Sequence, residues 1–461
     1  MVKALISRTI ALGALLLPVA PALAQETGGL RLTLGVEQRF EVSDNLALAT
    51  PSKGTTTSAA TRLSFGLLSD TAIQHLALDI SATFRLADEA GGKSTAAFDS
   101  PRADFSYSRD GANAALSFSA AYSRDRIEFL RPLSDFTNGD GVVELPPDLA
   151  DLSGTGERAV TSSDFKLDLG TASPLGVSFS AGLNKVEYLK TSDPALVSSQ
   201  TITVGSTARL NFSDITVGRV VVGASQYDAE DTENTRIDTS SVEIGVTRQI
   251  SPIAELDAAL GYGVTKTREL GVTTRDQGPT GTLGLTYQLA NGTADAVLVS
   301  ATDQNGNRLS LEFGRALNLA TGTFSARLGL TRTGSDDPLL IGALVWQNIG
   351  PAGTINARLS REVATTDIDV ETATTLASLA VTHEVNAVSS LGLDLTFAVI
   401  DETGVDQVER SDLSARYTRA ITDDWNMNFG VILTRRNQAS SGNAKSESVF
   451  LTLSRDFDLR P

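Results

Sequence analysis

The chain has 461 residues and no cysteine, which excludes disulfides, thiolate metal sites, cysteine catalysis and lipid attachment through a cysteine. Its 38 Lys and Arg stand against 55 Asp and Glu, a formal charge of −17 that argues against nucleic acid as a partner. No apolar run of roughly 18 residues exists to form a spanning helix, and helix-period stretches are scarce among many Gly, Thr and Ser, so an all-β chain is expected.

Residues 1–24 read as a cleaved signal peptide. Lys3 and Arg8 form a basic start, Ile10 to Ala20 a short apolar core, and Ala22-Leu23-Ala24 a small-x-small cleavage site. The mature chain is then expected to begin at Gln25 and to form one domain, 25–461. Losing Lys3 and Arg8 takes the charge from −17 to −19.

From there one unit recurs: about ten residues of alternating apolar and polar side chains, then a turn. The clearest case is 76–86. Leu76, Leu78, Ile80, Ala82, Phe84 and Leu86 fall on one face, and Ala77, Asp79, Ser81, Thr83 and Arg85 on the other. The first strand, 30–40, has Leu30, Leu32, Leu34 and Val36 opposite Arg31, Thr33, Glu37 and Arg39. Next come 58–69, 74–86, 101–109, 114–125, 160–169, 176–188, 200–212, 215–227, 238–248 and 254–267. The second half gives 279–288, 293–302, 307–316, 322–333, 339–348, 353–363, 372–383, 390–400, 408–419, 424–436 and 446–457. This predicts a transmembrane antiparallel up-and-down β-barrel of about 22 strands. Four segments, 58–69, 215–227, 293–302 and 339–348, alternate poorly, so about 20 or 24 strands stay open.

Connections after even strands read as tight periplasmic turns, as at 109–113, 170–174, 249–252 and 420–423. Those after odd strands read as outer loops, as at 43–57, 87–100 and 129–159. Asn305-Gly306 is a tight-hairpin pair, and the glycine falls too early for the calcium loop that 303–307 faintly resembles.

Strand ends carry a recurring apolar-x-cation pattern. It occurs as Tyr107-Ser-Arg109, Tyr122-Ser-Arg124, Phe313-Gly-Arg315, Leu330-Thr-Arg332, Leu359-Ser-Arg361, Tyr417-Thr-Arg419, Leu433-Thr-Arg435 and Leu453-Ser-Arg455. An outward Arg costs about 2–4 kcal/mol at the membrane midplane and little at its edges. The expected role is therefore an interfacial belt: Tyr107, Arg109, Tyr122, Arg124, Arg315, Arg332, Tyr417, Arg419, Trp425 and Arg435, reaching lipid headgroups and lipopolysaccharide. Ordinary polar strand termini are the rival reading.

On the opposite face alternation points Arg31, Arg39, Arg85, Arg209, Arg327, Arg358 and Arg416 inward, with Glu37, Asp79, Asp104, Asp168, Asp257, Asp394 and Asp412. Charges of both signs around water set ion selectivity, or else merely pair between neighbouring strands. The long connection 129–159 carries Asp135, Asp140, Glu144, Asp148 and Asp151. Folded inward it is a constriction that favours cations, and folded outward a surface loop. His75 and His383 share no metal spacing, no catalytic motif stands out, and nothing calls for a cofactor or an enzyme activity.

The pattern resembles bacterial outer-membrane β-barrel proteins of the putative porin type, including barrels associated with exopolysaccharide and exosortase loci. The likeness rests on the first strand and the turn after it, Phe40-Glu-Val-Ser-Asp44-Asn45-Leu46, and on Tyr417-Thr-Arg419 followed by Trp425. Such barrels end in an aromatic residue read by the barrel-assembly machinery; here Phe457 is the nearest. The resemblance implies an outer-membrane protein for passage or surface display; small solutes or an exported polymer are the expected partners. The leading expectation is a passive porin with a mixed-charge, net acidic lumen. The alternative is a structural or secretion-associated barrel, for example in polysaccharide export. A soluble periplasmic β-repeat is a third reading.

Overall fold

The computed structural model describes residues 29–129, 155–365, 371–402 and 406–459, together with Leu133, Val143, Leu145 and Leu149. The signal segment lies outside them, as do Asp135, Asp140, Glu144, Asp148 and Asp151.

Twenty-two strands are described: β1 Leu30–Ser43, β2 Thr56–Thr71, β3 Gln74–Glu89, β4 Lys93–Asp110, β5 Ala114–Arg126, β6 Glu157–Leu169, β7 Leu175–Leu189, β8 Ser199–Ser213, β9 Thr216–Ala229, β10 Arg236–Ser251 and β11 Ala254–Glu269. The rest are β12 Val272–Leu289, β13 Gly292–Asp303, β14 Gly306–Leu319, β15 Gly322–Thr333, β16 Leu339–Gly350, β17 Gly353–Thr365, β18 Glu371–Asn386, β19 Ser389–Glu402, β20 Val408–Ala420, β21 Trp425–Gln438 and β22 Gly442–Leu459. Each pairs antiparallel with the next, and β1 pairs with β22, so the sheet closes without an edge.

The pairing register turns the alternation of each strand into two continuous surfaces. Val36 of β1 lies opposite Leu63 of β2 and Arg455 of β22, and Phe40 lies opposite Leu451. The apolar surface faces away from the barrel axis. Leu260, Ile244 and Phe313 are 72%, 67% and 59% exposed. In water so large a greasy surface would drive association; against acyl chains it is the solvated face. A dry two-sheet sandwich would bury these side chains. The chain is an outer-membrane β-barrel.

The two rims differ. After every even-numbered strand the connection is only two to five residues, whereas after β5 it runs through 127–156. Short turns mark the periplasmic rim, so the long connections lie outside. β4, β12 and β22 have 18 residues each, more than the 9–11 that a bilayer requires, and they stand above the membrane on the outer side.

Two sequence expectations are corrected. Residues 87–100 are not an outer loop: β3 and β4 continue to a tight connection at 90–92, with a register shift between Ser81 and Thr83. In the turn near Asn305-Gly306, the linking residues are Gln304 and Asn305, with Gly306 (φ 102°) opening β14 in a conformation glycine adopts without strain. The four poorly alternating segments are all strands, because ladder pairing with both neighbours overrides weak local pattern.

Candidate functional site

The register places all fourteen lumen-wall residues on the inner face, opposite to the exposed apolar side chains of their own strands. Most are held by neighbours. Arg31 pairs with Asp458 at 3.1 Å, Arg39 with Glu41 at 2.9 Å and Arg85 with Asp99 at 2.8 Å. Arg327 reaches Asp295 at 2.8 Å, Arg358 reaches Glu362 at 3.2 Å and Arg416 reaches Asp394 at 2.5 Å. Asp168 accepts from Ser178 at 2.5 Å and lies 3.1 Å from Lys166, while Arg209 donates to the carbonyls of Gly170 and Thr171. Asp257 takes a two-pronged grip from Arg219, at 2.6 and 2.7 Å. Asp79 and Asp104 are register partners, as are Glu37 and Arg62. The charges thus lock neighbouring strands together while they line the lumen.

The lumen is also bridged. On the inner face of β18–β20, Leu376, Ala398, Ile400 and Val408 form an apolar patch. Leu133, Val143 and Leu149, from the connection after β5, pack on it, with Leu133 fully buried. Leu145 and Tyr188 of β7 pack against the same cluster. In a ring of 22 strands β7 and β19 lie twelve strands apart one way and ten the other, so the cluster joins opposite walls. The Leu133 backbone N–H adds a 3.0 Å hydrogen bond to Asp412 Oδ2, and Asp412 in turn lies 3.6 Å from Arg410. Leu133, Val143 and Leu149 therefore lie inside the barrel. The first three residues of the connection, Ile127–Phe129, form a 3-10 turn that sets Phe129 3.8 Å from the Arg85 guanidinium.

A second inward clamp lies at the outer mouth. Arg308 of β14 reaches Asp303 of β13 (3.4 Å), Glu371 of β18 (3.0 Å) and the Thr365 hydroxyl of β17 (2.7 Å). Thr365 donates to Asp303 at 2.9 Å. The β13–β14 tip is thereby tied across the rims of β15 and β16 to β17–β18, which narrows the mouth on that side.

Sequence reading missed Arg62, Arg219 and the apolar patch. Arg62 and Arg219 sit in two of the poorly alternating strands, where facing is hard to read. The patch had a signal: Phe397-Ala-Val-Ile400 is apolar on both faces, which a water-facing wall does not need.

Of the belt residues, Tyr107, Tyr122, Arg109, Arg332, Tyr417, Arg419 and Arg435 share the outward face with exposed leucines and phenylalanines. Arg455, between Trp425 (5.7 Å) and Phe457 (4.5 Å), stacks on aromatic rings at the periplasmic edge. Two belt arginines also have protein partners. Arg315 donates to the Thr293 and Ala316 carbonyls and to Asn291, capping a turn, and Arg124 lies 3.6 Å from Glu157. His75 faces Asp70 at 3.6 Å and His383 lies on a distant strand; no metal-binding cluster occurs among the described residues.

The fold defines a class: the large, 22-stranded outer-membrane barrels. No protein-family model matches the sequence, and no curated protein matches it. Solved structures do. The ferric-catecholate import receptor Fiu from E. coli K12 matches with a TM-score of 0.58 at 11% identity, over 94% of this chain and 82% of that one. The FrpB iron transporter from Neisseria meningitidis (F3-3 variant) matches at 0.57 and 10% identity, over 93% and 81%. The copper transporter OprC matches at 0.55 and 12% identity, over 94% and 81%.

The expected passive porin, and its alternative of a secretion or polysaccharide-export barrel, are overturned. Barrels that share this architecture over most of their length include an import receptor and metal transporters. A physical feature accords with this: among the described residues, packed aliphatic side chains reach across the lumen. Charge alternation along the strands looks the same in both cases.

Proposed function

We propose that this chain is a gated outer-membrane transporter for a small solute, in which the connection after β5 is the gate. The observation that carries the reading is the apolar bridge of Leu133, Val143 and Leu149 on the β18–β20 wall, completed by Tyr188 from the far side. Solute entering from outside meets this bridge, and passage requires it to detach. The bridge is suited to two states, because three aliphatic anchors and one hydrogen bond leave the wall together or not at all. The iron and copper transporters that share the fold make metal-bearing solutes the first class to examine. Outer-membrane lipid surrounds the barrel, and the assembly machinery is its expected folding partner.

The test is conductance of the purified barrel in planar bilayers. The expected record is a barrel that inserts, shows only rare openings at rest, and opens when an anchor is removed. A steady, large open conductance in the unaltered protein overturns the reading.

A further inference from the structure

We infer that an arginine-lined cavity on the lumen wall is a binding site for an anionic solute rich in carboxylate or phosphate oxygens. The inference deepens the transporter reading and rests on it for its biological sense, but binding itself is measured separately.

The cavity holds about 500 Å³ and is formed by the inner face of the arc β20-β21-β22-β1-β2-β3, with Phe129 at its upper side. Four guanidinium groups line it, Arg39, Arg62, Arg85 and Arg416, with two carboxylates in the lining, Glu37 and Glu41, and two more, Asp99 and Asp394, paired with Arg85 and Arg416 from beside it. Each guanidinium has five N–H donors and no acceptor. The protein engages few of them: Arg39 Nε with Glu41, Arg62 Nη2 with the Ser81 hydroxyl (3.0 Å), Arg85 Nε with Asp99 and Arg416 Nη1 with Asp394. Arg62 makes no ion pair among the described residues, although Glu37 is its register partner. The cavity thus keeps unfilled guanidinium donors, beside the two carboxylates and a set of neutral hydroxyl and amide groups. The ligand that completes it brings oxygens and negative charge, because planar forks match carboxylate and phosphate edges two at a time.

The arginines are positioned rather than loose. Arg39 lies 4.3 Å from the Phe450 ring and Arg85 lies 3.8 Å from the Phe129 ring, so aromatic faces hold two of the four. Arg416 lies between two inward glycines on the neighbouring strands, Gly392 and Gly430. A Cβ on Gly392 would come within 2.7 Å of Arg416 Nε, and one on Gly430 within 2.7 Å of the Phe450 ring. Side chains are absent at the two points where the Arg416 and Phe450 groups must lie flat on the wall.

The site also adjoins both ends of the gate. Phe129 belongs to the root of the bridging connection, and Arg416 shares β20 with Asp412, which holds the Leu133 N–H. An anion drawing Arg85 away from Phe129 disturbs that root.

The experiment is titration calorimetry on the full barrel in detergent at physiological salt, with citrate, inorganic phosphate and spermidine as probes. Citrate or phosphate is expected to bind and spermidine not to. Arg62→Gln and Arg416→Gln are each expected to weaken the anion by about tenfold or more, while Arg109→Gln on the outer surface leaves it unchanged. A gel shift on boiling verifies that each variant is a folded barrel. Binding by spermidine alone, by no anion, or equally by all variants overturns the site. A barrel that binds citrate yet conducts freely overturns the gate and leaves the site standing.

Discussion

Replacing Leu133 by Asp is expected to detach the bridge and open the lumen. Leu133 is fully buried against the β18–β20 patch. Truncating a buried leucine costs about 2–5 kcal/mol, and a carboxylate in its place adds a buried charge beside Asp412, which already accepts the Leu133 N–H. A weakening of about 3 kcal/mol multiplies the detached population by about a hundred, because each 1.4 kcal/mol is roughly tenfold. The wall is held by its own ladder, so the barrel itself survives the change. The assay is swelling of liposomes loaded with the purified protein and challenged with arabinose, run beside the bilayer recordings. Unaltered protein is expected to swell them slowly, Leu133→Asp much faster, and Leu133→Met, which keeps volume and apolarity, close to the original. Ile400→Asp, on the wall side of the same contact, is expected to match Leu133→Asp. If folded Leu133→Asp and Ile400→Asp barrels remain as tight as the unaltered one, the aliphatic bridge is not the gate.

Three further outcomes follow from the same geometry. Leu260→Arg, near the middle of β11 on the lipid face, is expected to cost about 2–4 kcal/mol, whereas Val272→Arg at the outer start of β12 costs about 0–1, read as urea unfolding midpoints in vesicles. Asp257→Ala leaves Arg219 without its two-pronged partner and is expected to lower stability by about 1–2 kcal/mol with little change in permeability, since both groups lie far from the bridge. Gly392→Ala is expected to push Arg416 off the wall and weaken citrate binding, while the gel shift on boiling and the closed state of the lumen are retained; unchanged citrate affinity would show that the bare glycine surface is not what places Arg416.

The sequence by itself determined the barrel. A period of two over some ten residues puts 76, 78 and 80 on one face and 77, 79 and 81 on the other, whatever the strand later pairs with, so facing, strand order and membrane solvation follow from local chemistry. The inward placement of Arg31, Asp257 and Arg416 was legible for the same reason. What pairs across the barrel was not. Leu133 and Ile400 are separated by hundreds of residues and share one cluster, with Tyr188 of β7 packed against it from the opposite side of the ring; nothing local to any of these residues encodes that meeting. Likewise Arg39, Arg62, Arg85 and Arg416 become one cavity only once β22 zips to β1 and brings the two ends of the chain side by side. The tertiary structure thus decided which side chains meet across the lumen, and where its arginines gather, because both depend on distances across the ring rather than along a strand.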